Sequence, residues 1–176
     1  IYDSMVDFAK YAFNKSHAAA YAKISVQTAW LKNYYPVEFM AALMTSVIDN
    51  SAKAAQYLYS CRDMGIKVLP PDINCGQGEF TAEGDHVRYG MYAIKSLGRP
   101  VIDQIIEERE SGGRSRTLSD FIERTCQKEL INKRAIENLI KAGACDSLDG
   151  TRKQMAMVYA SIVDRVQHDK KSTMAG

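Results

Sequence analysis

The sequence has 176 residues, 46% of them hydrophobic and 25% charged, with a net charge of +2. That supplies a core for one mid-sized domain or two small ones and excludes a chain disordered throughout. With so little net charge, any grip on an anionic polymer must come from local patches, and no apolar run approaches the ~20 residues of a membrane helix.

The first residues place Ile1, Met5, Phe8 and Ala12 on one helix face. The pattern is already running at Ile1, which reads as a segment of a longer protein. A second helix is expected from about His17 to Tyr34, with a stripe of small residues (Ala18, Ala22, Ser25, Ala29) that would let another helix come close. At its entry, Asn14, Lys15, Ser16 and His17 gather polar donors and a cation, a combination that suits an anion at a helix N-terminus. The same cluster is also explained by Asn14 or Ser16 as an N-cap with His17 in solvent. Pro36 fits the first turn of a third, deeply buried helix, where it has no amide bond to lose. Ser51 is the expected cap of a fourth, which Gly65 ends.

Two prolines in VLPPDIN force an extended segment, so a boundary is expected near Pro70 to Gly78. The runs EFTA and HVRYG around Glu83, Gly84 and Asp85 read as a β-hairpin. Helical patterning returns at Met91. A short helix, a tight turn at Ser96-Leu97-Gly98 and a longer helix bearing Val101, Ile102, Ile105 and Ile106 form a helix-hairpin-helix unit. Such a turn offers backbone amides and the positive end of a helix dipole to a phosphate oxygen, with Lys95 and Arg99 adding charge. Contacts of that kind hold the backbone without reading the bases. A glycine there is equally compatible with a plain structural corner. A similar layout recurs at Lys141-Ala142-Gly143-Ala144-Cys145, and a last helix starts near Thr151.

The fold expected is therefore mainly α: a helical subdomain over residues 1–74, a connector with a short β-hairpin over 75–90, tandem helix-hairpin-helix motifs over 91–168, and a polar tail over 169–176. No catalytic group and no metal site is expected within it. Cys61, Cys75, Cys126 and Cys145 form no C-x-x-C pair, and His17, His86 and His168 are scattered, so free thiols in a reducing cytosol are the simpler reading. No Asp-x-Asp occurs, and Glu107, Glu108 and Glu110 point different ways around one helix.

Several segments in order resemble signatures of the bacterial DNA polymerase III alpha-subunit family, the C-family replicative polymerases. They are Phe13 to Ala22, Tyr35 to Leu43, Val68 to Asn74, Tyr89 to Gly98 and Leu139 to Asp146. The resemblance implies a fingers region in the first half and the family's tandem helix-hairpin-helix in the second. It implies that Asn14, Lys15, His17 and Tyr21 lie near the incoming nucleotide triphosphate, and that Lys95, Leu97, Gly98 and Arg99, with Lys141 and Gly143, hold duplex DNA. Ser96 stands where the family's first hairpin usually has glycine, which puts a side chain at the phosphate's approach. The resemblance also implies a cytoplasmic bacterial enzyme using Mg2+ on aspartates outside this sequence, a primer-template, and a sliding clamp bound through a segment beyond Gly176. On that reading the chain alone incorporates no nucleotide. The rival readings are a non-catalytic helix-hairpin-helix scaffold of repair type and a helical domain that binds only proteins.

Overall fold

The computed structural model describes residues 2–3, 5–6, 15–126 and 131–174, the last four as backbone only. The expected helix at 1–12 and the candidate Asn14 lie largely or wholly outside the described residues. The described elements run α1 (Lys15–Tyr34), α2 (Pro36–Ser46), α3 (Ser51–Asp63), β1 (Lys67–Leu69), β2 (Thr81–Glu83), β3 (His86–Arg88), a 3-10 turn (Met91–Ala93), α4 (Arg99–Gly112), α5 (Leu118–Thr125), α6 (Lys133–Ala142) and α7 (Arg152–Met174). The fold is mainly α, as the sequence indicates. The last helix carries the backbone on through most of the segment read as a polar tail.

The local signals act where they stand. Pro36 opens α2 within its first turn. Asn50, not Ser51, caps α3: its Oδ1 accepts from the Lys53 amide at 3.1 Å. Both residue types cap well, and the helix simply starts one residue earlier than the Ser51 reading places it. Thr117 caps α5 and Asn132 caps α6 in the same way. In α6 the buried residues Ala135, Ile136, Leu139 and Ile140 recur at helical spacing, so one stripe faces the core.

Two apolar cores result. The first joins α2 and α3 to a three-stranded sheet of order β1-β3-β2, and contains Met40, Met44, Cys61, Phe80 and Val87. β2 and β3 form the expected antiparallel hairpin, and β1 lies parallel to β3, with Val68 opposite Val87. The hairpin is thus built into the core of the first half, and the Phe80 amide donates to Thr45 Oγ1 at 3.2 Å. The second core is larger and is made by α4 to α7 around Ile102, Ile122, Ile136, Leu139 and Val163.

The Pro70–Gly78 segment is docked onto this second core. Ile73, 2% exposed, donates its amide to Ala144 O at 2.9 Å. Asn74 donates to Ser115 O and Ser147 Oγ, and Arg109 donates to Ile73 O and Gly76 O. A segment bonded at so many points is held fast to the second core.

The helix α1 is the exception to this packing. None of its residues is buried, and it meets the rest of the described structure chiefly through α2. The stripe Ala18, Ala22, Ser25, Ala29 therefore receives no helix from the described residues, contrary to the close approach its small side chains suggest.

Candidate nucleic-acid interface

The turn Ser96-Leu97-Gly98 lies between the 3-10 turn and α4. Lys95, Ser96, Gly98 and Arg99 are exposed, while Leu97 is half-buried and packs against the second core. Leu97 thus anchors the turn from below and leaves its polar edge in solvent. Ser96 has φ +64, a left-handed conformation that costs a non-glycine residue. This is the position at which the sequence departs from glycine, so the backbone keeps the shape that glycine serves and accepts a hydroxymethyl group on top of it.

Gly98 caps α4 without any side-chain hydrogen bond. Pro100 contributes no amide to the first turn. The amides of Val101 and Ile102 turn back to Gly98 O at 3.1 and 3.4 Å. Among the described residues the Gly98 and Arg99 amides have no protein acceptor. An exposed helix start with open donors and two flanking cations has the donors and charge that an anion would need. Arg99 is not idle: its Nη2 donates to Asp49 Oδ2 at 3.1 Å, and its guanidinium carbon sits 5.1 Å from the Tyr92 ring centre. The Tyr92 hydroxyl in turn donates to Asp103, and that bond raises the affinity of the phenol for its proton.

The second turn is built differently. Gly143 has φ +83 and is the left-handed C-cap of α6, with the amides of Gly143 and Ala144 returning to Ile140 O and Leu139 O. Gly143, Ala144 and Cys145 are buried. A Cβ on Gly143 would come within 2.4 Å of the Arg152 guanidinium, which pairs with Asp146 across the turn. The start of α7 is closed by a reciprocal cap, with the Thr151 amide donating to Gln154 Oε1 at 2.8 Å and the Gln154 amide to Thr151 Oγ1 at 3.3 Å. Lys141 is exposed and paired with Glu137 at 2.5 Å. Burial holds the Cys145 thiol up at about 12, with Asp146 and Asp72 adding to the effect.

At the start of α1, Lys15, His17 and Tyr21 are all exposed. His17 and Tyr21 share a face, with ring centres 4.4 Å apart. Two residues of helix turn Lys15 about 200° away from His17. The three side chains therefore share a helix start but not one face. Farther along, Ile24, Trp30 and Leu31 are also exposed. Among the described residues, no three histidine, cysteine, aspartate or glutamate side chains come together where they could hold a metal ion. Among them no helix is long and apolar enough to cross a membrane.

Sequence reasoning missed Asp49 and Arg152. Each acts on a turn that is distant or unmarked in the sequence, and neither belongs to a motif.

A family described as "helix-hairpin-helix motif" matches residues 65–155, a range that takes in both turns. The chain belongs to the helix-hairpin-helix family. It is also similar to curated proteins named DNA polymerase III subunit alpha. The one from Saccharopolyspora erythraea is 46% identical over 176 residues, which is 100% of this chain and 15% of the relative. That from Neisseria meningitidis is 48% identical over 163 residues, 92% of this chain and 14% of the relative. That from Thermus aquaticus is 44% identical over 156 residues, 89% and 13% respectively. The chain thus spans about 15% of the length of the relatives it matches end to end. These relatives agree with the resemblance carried by Phe13 to Ala22 and the later segments.

Proposed function

We infer that this chain is the part of a bacterial replicative DNA polymerase that holds duplex DNA by its backbone behind the reaction centre. The first helix-hairpin-helix turn makes the contact. One observation carries the reading: α4 starts in solvent, at an uncapped Gly98 with open amides, between Lys95 and Arg99. A phosphate oxygen would accept from the Gly98 and Arg99 amides, and the two cations would neutralise its charge. None of these groups reaches for a base edge, so binding is independent of sequence. The second turn has its donors committed and its glycine covered, and its part is to brace α6 against α7. Lys141 at its edge adds charge without a comparable pocket.

The start of α1 is the nucleotide- and template-facing element in this reading. Lys15 and His17 stabilise triphosphate charge, Asn14 and Tyr21 lie beside them, and the exposed apolar length of α1 rests on other parts of the enzyme. The metal-holding carboxylates, the Mg2+ and the clamp-binding peptide belong to the longer polypeptide.

Two experiments test this. The chain is titrated with duplexes of unrelated sequence, where the reading expects equal affinities that fall steeply with salt; absence of binding at low salt would exclude the duplex role. In a full-length enzyme carrying this segment, Lys15→Ala is expected to raise the nucleotide KM and lower kcat. Unchanged values would remove Lys15 from the nucleotide site.

A further inference from the structure

The geometry points to Asp49 as an internal competitor for the DNA phosphate, a carboxylate that occupies Arg99 until the duplex backbone replaces it. The inference rests on the reading of the first hairpin as a backbone grip and adds a control to it. Asp49 lies in the turn between α2 and α3, 50 positions before Arg99 in the chain, exposed at the surface beside the two helices of the other core. The contact is a single one, Arg99 Nη2 to one Asp49 oxygen, and a phosphate would offer the guanidinium the same kind of anionic acceptor. The two side chains are 57% and 83% exposed, so the pair is held weakly and is open to exchange.

The pair also has a defined place in the fold. Between the two cores runs an open groove of about 490 Å³, lined by Ile48, Ser51, Pro70, Tyr89, Ile94 and Lys95 among others. Asp49 directly follows Ile48 of this lining, and Arg99 follows Lys95 of it on the far side of the turn. On one side the latch is a turn with no other hydrogen bond to α4 among the described residues; on the other it is the first residue of the candidate phosphate-binding helix. A phosphate seated on the Gly98 and Arg99 amides would draw the guanidinium toward itself, and the latch would open as the strand docks. Tyr92, fixed by its bond to Asp103, keeps the Arg99 side chain near the turn in either state.

The test is a double-mutant cycle on duplex affinity, read by fluorescence anisotropy with the full chain, its Asp49→Asn and Arg99→Ala variants, and the double variant. Asp49→Asn is expected to tighten binding about two- to fivefold at low salt, the size of an exposed ion pair, and the gain should shrink as salt screens the pair. In the Arg99→Ala background the same substitution should change nothing. If Asp49→Asn tightens binding equally in both backgrounds, Asp49 merely repels DNA and the latch is overturned. It is overturned too if Arg99→Ala weakens binding while Asp49→Asn has no effect. Unchanged affinity on Arg99→Ala alone would instead remove the grip on which the latch depends.

Discussion

The two hairpin turns of the second core use similar residues for opposite ends. At Ser96-Leu97-Gly98 the apolar residue goes inward and the glycine stays in solvent, so α4 begins with donors that protein does not use. At Gly143-Ala144-Cys145 the glycine goes inward as a helix C-cap, an arginine closes over it, and α7 begins with its own Thr151–Gln154 cap. A glycine after a helix therefore does not by itself leave the next helix start open. What separates the turns is whether the next helix start already has its acceptors, and that is decided by residues such as Thr151, Gln154 and Arg152 beyond the turn itself.

The comparison can be broken most sharply through the core that both turns stand on. Leu139→Ala removes a side chain with 0% exposure beneath the second turn, and should cost about 2–5 kcal/mol in a denaturant titration. Gly143→Ala should cost about 1–2 kcal/mol, because φ +83 disfavours a side chain and the Arg152 guanidinium must move. Neither change should alter duplex affinity once folded protein is compared with folded protein. A selective loss of DNA binding in Gly143→Ala, with stability intact, would put the second turn back in contact with phosphate.

Ser96→Gly offers a smaller effect in the other direction. Relief of the left-handed serine should stabilise the chain by about 0.5–1 kcal/mol after the entropy of glycine is set against it. It should leave duplex affinity equal or slightly tighter. A loss of affinity would mean that the Ser96 hydroxyl is itself a contact.

The thiols give the mildest distinction. Cys75 is exposed and Cys61, Cys126 and Cys145 are buried, so a thiol reagent near neutral pH should modify Cys75 first. Cys145 should resist until the protein unfolds. Its thiol is held up at about 12 in the fold, against about 8.5 in an unfolded chain. The folded state thus keeps a proton that the unfolded state gives up, and its contribution is complete below about 8.5 and is lost as pH rises toward 12. Alkaline unfolding should accordingly become easier across that window, and a Cys145→Ala variant should show a flatter pH dependence there.

Much of this architecture is written locally. Asn132 followed by the stripe Ala135, Ile136, Leu139, Ile140 marks α6 from its cap to its buried face, and Pro36 marks α2. The hairpin is marked by Glu83-Gly84-Asp85. Three features were not legible because they depend on partners remote in sequence. The sheet gains β1 from a segment that reads as extended linker. The Pro70–Gly78 stretch reads as an extended boundary segment, and its sequence does not show that Asn74, Arg109 and Ala144 tie it to the second core. The small-residue stripe of α1 has the pattern of a helix contact, but spacing alone does not say whether a covering helix is present. At the site, the cations and glycine of the first turn stand together in the sequence, whereas the ion pair that occupies Arg99 spans 50 positions.

The most direct test of the account is the salt dependence of duplex binding by the Lys95→Ala/Arg99→Ala variant beside the parent chain. With both cations gone, affinity at roughly 50 mM salt should fall for every duplex sequence alike, and the slope of log K against log salt should shrink by about 1.8, two phosphate contacts' worth. A variant that binds with the parent's affinity and the parent's slope would show that the duplex is held elsewhere, and that the open start of α4 is not the grip.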